Sequence, residues 1–194
     1  MKKLAFAIIL AILLNTSISH SKNINEAYFA GGCFWCMEEF FEKIKGIEEV
    51  ISGYSGGKTK NPTYKEVTYG DTGHFEVAKI IYNKEIISYK EILNLYWQNI
   101  DPFDAAGQFC DKGLSYRSVA FYKNQEEKNQ IENSIKNIEK RFNGKKVVTF
   151  VRLFKKFYPA EDYHQNYYSE NFMNYLLYKK ACGREKTLQK IWKN

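Results

Sequence analysis

The stretch Ala27-Tyr28-Phe29-Ala30-Gly31-Gly32-Cys33-Phe34-Trp35-Cys36-Met37 runs from a strand-like segment, through a glycine pair, into a helix. Met37, Phe40, Phe41 and Ile44 recur at the spacing of one buried helical face, and Gly46 ends that helix. The spacing predicts a strand over Ala27–Ala30 and a helix over Met37–Ile44, with Cys33 and Cys36 between them. A thiol at the first turn of a helix meets exposed backbone N–H groups and the positive end of the dipole, and both favour the thiolate. The aromatic rings of Phe34 and Trp35 would wall a small apolar pocket against it.

Further elements follow on both sides of that turn. Ile47–Tyr54 reads as a strand closed by Ser55-Gly56-Gly57, residues 58–72 as a polar loop, and Phe75–Tyr82 as a strand. Ser88 with Glu91 forms a capping box opening a helix that uses Ile92, Leu95 and Tyr96. Asp101–Gly113 reads as an irregular loop and Tyr116–Tyr122 as a strand. Asn124 and Glu127 cap a helix whose stripe is Ile131, Ile135, Ile138 and Phe142, with Gly144 after it. A strand over Val147–Leu153 and a helix over Asp162–Tyr178 complete the series. Strands and helices alternate with one hairpin-like pair. This is the pattern of an α+β, ferredoxin-like two-layer sandwich, a mixed β-sheet with helices packed on it.

The chain has 194 residues, enough for one domain with its own core. Its 29 Lys and Arg against 22 Asp and Glu give a net charge of +7, spread along the chain rather than gathered in a block. With no basic helix and no zinc-finger spacing, nucleic-acid binding is not expected. Lys2 and Lys3 precede an apolar run from Leu4 to Leu14 and a polar stretch to Ser21, the layout of a secretory signal peptide. The expected division is a leader over 1–21 and a catalytic domain over 22–194. Removing the leader takes away those two lysines and no acid, lowering +7 to +5. The location expected is exported, periplasmic or extracytoplasmic, with anchoring by an uncleaved leader as the alternative. The run is short for a bilayer and no second one follows, so no stable membrane span is expected after leader removal. A monomer is expected.

Cys33, Cys36, Cys110 and Cys182 are the chain's cysteines. Two structural disulfides are the default for an exported protein, yet Cys33 and Cys36 are too close to close a useful loop, which favours a redox role for that pair. A sulfenic acid on one could be captured by the other, one helical turn away. Nothing pairs with them at zinc-ligand spacing, so neither a metal nor another cofactor is expected. Glu76 shares a strand face with Ala78, Ile80 and Tyr82 and no other charge. A carboxyl there should stay protonated near neutral pH and could donate a proton to a substrate oxygen. Arg117 reads as a surface or ion-paired arginine, and His164 as a histidine without an acyl-enzyme context.

Gly31-Gly32-Cys33-Phe34-Trp35, Gly73-His74-Phe75-Glu76, the loop Asp111 to Ser118 and Pro159-Ala160-Glu161-Asp162-Tyr163-His164-Gln165 occur in this order. Together they resemble the peptide methionine sulfoxide reductase A family over roughly residues 26 to 192. The resemblance implies that Cys33 attacks the sulfur of a methionine S-sulfoxide, free or in an oxidised protein, while Glu76 protonates its oxygen. It implies that Tyr64 and Tyr116 hydrogen-bond that oxygen, that Asp111 joins the polar network, and that Phe34, Trp35 and His164 bind substrate. The sulfenic acid left on Cys33 passes to a disulfide, which thioredoxin or a thioredoxin-like donor reduces. Many members have Gly where Cys36 stands, Asn where Cys110 stands, and recycling cysteines in a glycine-rich tail. Here the tail is Lys179-Lys180-Ala181-Cys182-Gly183-Arg184. The resolving cysteine expected is Cys36, held close to Cys33, with Cys182 second and Cys110 third. A general thiol–disulfide oxidoreductase would share the spacing of Cys33 and Cys36 but would leave Glu76, Asp111 and Tyr116 without a task.

Overall fold

The computed structural model describes residues 23–193, so the expected leader lies outside the described residues. In chain order the elements are β1 (Ile24–Ala30), α1 (Phe34–Glu42), β2 (Ile47–Ser55), α2 (Tyr64–Tyr69), β3 (Phe75–Asn83), α3 (Tyr89–Gln98), β4 (Gly107–Gln108), β5 (Asp111–Lys112), β6 (Val119–Tyr122), α4 (Gln125–Arg141), β7 (Phe150–Leu153), β8 (Phe157–Pro159), α5 (Tyr167–Glu170), α6 (Phe172–Cys182) and α7 (Arg184–Trp192). A mixed sheet runs in the order β7-β6-β1-β3-β2-β8. β3 pairs antiparallel with both β1 and β2, so those two run parallel with β3 between them. β6 adds antiparallel to the outer edge of β1, and β7 pairs parallel with β6. This split strand–helix–strand arrangement is the ferredoxin-like α+β core expected from the sequence, widened by one strand at each edge.

The pleat sorts the side chains. Ala78, Ile80 and Tyr82 of β3 pack with Phe29 of β1 beneath Met37 and Phe41 of α1, Ile92, Leu93 and Tyr96 of α3, and Ile131 and Ile138 of α4. Phe75 and Val77 point the other way, into a cluster with Tyr28, Ala30, Val119 and Phe121 that Phe150, Phe154 and Phe157 cover. Burying a large apolar side chain fully is worth about 1.5–3 kcal/mol, so the helix-facing cluster dominates stability. Among the described residues no helix is long and apolar enough to cross a membrane.

Several expectations need correction. The segment 58–72 is not all loop, because α2 forms within it, opened by a capping box between Thr63 and Glu66. The same type of box opens α3 at Ser88 and Glu91, as expected. The loop 101–113 holds the β4–β5 hairpin, braced by the buried Gln108 amide. That amide accepts from the Asp101 N–H at 2.8 Å and donates to its carbonyl at 2.8 Å. The strand expected from Tyr116 begins at Val119, after a short 3₁₀ turn over Leu114–Tyr116. The last expected helix is broken into pieces, with Asn166 in the left-handed region at φ 52°.

The turn into α1 depends on its glycines. Gly32 sits at φ +81°, and a Cβ there would lie 2.6 Å from Cβ of Gln108. A Cβ on Gly31 would lie 2.5 Å from Sδ of Met37. Gly32→Ala therefore adds left-handed strain to a steric clash and should lower stability by about 1–3 kcal/mol. A urea midpoint at unchanged slope checks this.

Candidate active site

The turn delivers Cys33 to the N-cap of α1, where it is 5 % exposed. The first backbone N–H of the helix, that of Phe34, donates to Oε2 of Glu76 at 3.1 Å. Helix start, thiol and carboxyl are thereby fixed to one another across β3. The thiol makes no capping hydrogen bond to the helix backbone. Burial pushes the Cys33 thiol well up, and the neighbouring Cys36, Glu76 and Asp111 add to the rise. The thiolate expected on Cys33 from its place at the helix start is thus not favoured. Burial outweighs the dipole.

Glu76 is 2 % exposed. Burial raises its carboxyl well above the usual range, Asp111 and Cys36 raise it further, and only the Phe34 N–H opposes them. The acid is therefore uncharged near neutral pH, as its strand face suggested. Its folded-state affinity for a proton exceeds that of the unfolded chain. Ionising it opposes folding, and it costs stability progressively as pH rises above the ordinary glutamate value of 4.5.

Around these groups lies a cavity of about 230 Å³, lined by Cys33, Phe34, Trp35, Tyr64, Glu76, Asp111, Tyr116 and Tyr178. Glu161 braces one wall from behind, its carboxylate accepting the backbone N–H of Tyr64 and the hydroxyl of Tyr54, each at 2.8 Å. That anchors the start of α2 with Tyr64 toward the cavity. The hydroxyls of Tyr64 and Tyr116 interact, and burial raises both phenols, so they stay protonated. Trp35 stacks on Tyr167 with ring centroids 3.8 Å apart. The buried Glu38 holds that segment by accepting from the Asn166 N–H at 2.8 Å and from the Ser52 hydroxyl at 3.1 Å. Asp111, from the β4–β5 hairpin, accepts the hydroxyl of Tyr178 at 2.5 Å. Sequence reasoning missed Tyr178, because it lies among exposed apolar residues on α6 without a clean periodicity.

His164, expected to bind substrate, does not line this cavity. It is buried behind the wall, 4.5 Å from the Tyr64 ring and 5.1 Å from the Phe34 ring, with no hydrogen-bond partner on either ring nitrogen. Burial lowers its proton affinity, so it packs there as a neutral ring. The cysteines divide cleanly. Cys33 and Cys36 are free and buried, while Cys110 and Cys182 form a disulfide. Cys182, expected as the second resolving candidate, and Cys110, the third, are thus bonded to each other rather than open to Cys33. The thiols of Cys33 and Cys36 share a hydrogen bond, and that bond, with Arg184 and Tyr175 assisting, lowers Cys36 to about 7 against its burial. The more readily ionised thiol of the pair is Cys36.

A buried thiol and an uncharged carboxylic acid facing one cavity, with a second, more acidic thiol one turn behind, define a thiol-dependent oxidoreductase. A family model described as peptide methionine sulfoxide reductase matches residues 25–194. The chain is 46 % identical over 174 residues to the peptide methionine sulfoxide reductase MsrA of Limosilactobacillus reuteri, covering 89 % of this chain and 99 % of that protein. Its fold is similar to Mxr1 of Saccharomyces cerevisiae in reduced form, at TM-score 0.72 and 29 % identity, covering 77 % of this chain and 86 % of that one. It is also similar to methionine sulfoxide reductase A of Corynebacterium diphtheriae, at TM-score 0.70 and 25 % identity, covering 78 % and 77 %. The chain belongs to the peptide methionine sulfoxide reductase family.

Glu76→Gln keeps the shape of the side chain and removes its acid. It should lower kcat/KM by about 10²–10⁴-fold, the usual worth of a positioned general acid. The same variant should lessen the decline of melting temperature with pH, since the Glu76 carboxyl is no longer there to ionise, while the buried Glu38 still is.

Proposed function

We propose that this protein reduces methionine S-sulfoxide, free or in oxidised proteins, to methionine at the expense of a dithiol, and so repairs oxidised proteins. The observation that carries the reading is the uncharged Glu76 carboxyl held beside the Cys33 thiol in one aromatic-walled cavity.

The residues divide the chemistry among them. Phe34 and Trp35 hold the methyl group of the substrate, while the protonated hydroxyls of Tyr64 and Tyr116 donate to the sulfoxide oxygen. That oxygen leaves sulfur poorly until protonated, and Glu76 supplies the proton. The oxygen passes with it to the Cys33 sulfur, giving Cys–S–OH, and the sulfoxide sulfur leaves reduced, as methionine. Cys33 gives up its own proton to the Glu76 carboxylate as it reacts, which restores the proton that Glu76 lost. Asp111 and Tyr178 keep the polar side of the cavity ordered. Cys36 then attacks the sulfenic sulfur. A Cys33–Cys36 disulfide forms as the Cys36 thiolate displaces the hydroxyl, which leaves as water with a proton from solvent. Thioredoxin or a thioredoxin-like donor returns both thiols, its own dithiol becoming a disulfide.

The leader pattern over 1–21 supports export to the periplasm or another extracytoplasmic space, with residues 22–194 as the working monomer. Oxidised surface methionines meet it there. Cleavage at Ser21 is checked by the N-terminal sequence of the protein recovered from cells.

Cys33→Ser should abolish methionine formation at any dithiothreitol concentration. Cys36→Ser should form about one equivalent of methionine and then stall as a sulfenic acid when a thioredoxin-like protein is the only reductant. Peptide mass mapping of wild-type protein treated once with methionine S-sulfoxide should find Cys33 joined to Cys36. A Cys33 bond to Cys182 or Cys110 would overturn Cys36 as the resolving thiol.

A further inference from the structure

Arg184 is the first residue of α7 and is only 4 % exposed. Its guanidinium donates to the carbonyl of Gly31 at 3.1 Å and of Asn99 at 2.6 Å, touches Sδ of Met37 at 3.5 Å, and lies over the Phe109 ring at 4.5 Å. Among the described residues no carboxylate forms a salt bridge with it, and its buried Nε has no partner. Asp111 feels its charge without reaching it in a salt bridge, and a buried cation so loosely compensated is expensive, so the fold has to answer for it.

Cys36 and Arg184 line the same cavity, about 340 Å³ in volume, which is distinct from the cavity that Cys33 lines. The geometry points to Arg184 as a positioning residue whose guanidinium is the resident counter-ion of the Cys36 thiolate, holding that sulfur charged and ready to attack the oxidised Cys33. This rests on Cys36 being the resolving thiol.

The surroundings leave the role to Arg184. On α6, the Tyr175 hydroxyl reaches Cys36 Sγ at 3.6 Å, and burial holds both Tyr175 and Tyr178 protonated. Glu76 is uncharged, Asp111 disfavours charge on Cys36, and the Cys33 thiol favours it through a neutral hydrogen bond, with no charge of its own to offer. Glu39 is paired with Lys43 and Lys179, and Glu185 with Lys179, so the rim of the cavity is internally matched. Lys193 sits at its exposed edge. Arg184 is the buried cation that remains. Its attachment to the Gly31 carbonyl also ties it to the turn that carries Cys33. The Cys110–Cys182 disulfide pins the chain two residues earlier.

The test uses the Cys33→Ser background, where the serine hydroxyl still donates toward Cys36, and follows iodoacetamide alkylation of Cys36 against pH. Near-UV circular dichroism confirms the fold of each protein. Arg184→Gln should move the alkylation midpoint up by about 1–3 pH units, the usual effect of losing an adjacent opposite charge. Arg184→Lys, which keeps a cation, should recover part of that shift. Arg184→Met, which preserves packing against Met37 and Phe109, is made in parallel so that a misfolded glutamine variant does not leave the question open. In the Cys33-containing protein the neutral variants should lengthen the life of the sulfenic acid, trapped with dimedone, at least tenfold near neutral pH. An unchanged midpoint in a folded neutral variant would overturn the assignment of Arg184. An unchanged sulfenic acid lifetime together with a shifted midpoint would instead indict Cys36 as the resolving thiol.

Discussion

The hydrogen bond from the Phe34 N–H to the Glu76 carboxyl, 3.1 Å long, joins the start of a helix to the middle of a sheet where neither can reach water. It commits the first donor of that helix to the carboxyl. A carboxyl placed there keeps its proton and remains an acid, and the adjacent thiol is not forced to share the pocket with two negative charges. The glycine pair, the depth of β3 in the sheet and the closeness of Gln108 to Gly32 all serve to bring those groups to one spot. The tyrosine and aromatic walls are arranged around that contact. They are held in turn by two acids, the half-buried Glu161 and the buried Glu38, that work as structural acceptors rather than reactive groups.

The two thiols divide their labour by environment. Cys33 is the more deeply desolvated and hard to ionise in the resting state, so its attack needs a substrate already activated by protonation. Cys36, one turn on, is favoured as the charged partner by its hydrogen bond with the Cys33 thiol, with Arg184 assisting. The first thiol must not be charged beside a protonated acid before substrate arrives, and the second must be charged soon after the sulfenic acid forms. A single helix turn carries both because the sheet side of α1 is dry and acidic, while its other side faces the basic tail.

Much of this could be read in the sequence because its physical basis is local. Helical spacing from Met37 to Ile44, the capping residues Ser88 and Asn124, and the clean face of Glu76 each encode structure within a few residues. The capping pair Thr63 and Glu66 carries the same information, yet the polar residues around it masked α2. What could not be read depends on residues far apart in the chain. The Cys110–Cys182 bond spans 72 residues, and the bracing of Gln108 against Asp101 belongs to tertiary packing. The same holds for Tyr178 on Asp111 and Arg184 on Gly31. The thiolate expected on Cys33 failed for a related reason. The helix dipole is visible in sequence, but the burial that overrides it is not.

The central claim is that residue 76 carries a proton in the resting protein at neutral pH. Infrared difference spectroscopy of wild type against Glu76→Gln, at pH 7 in light and heavy water, reads that proton directly. The account predicts a deuterium-sensitive protonated-carboxyl band present in wild type and missing from the variant. A wild-type protein showing only an additional carboxylate band would contradict it.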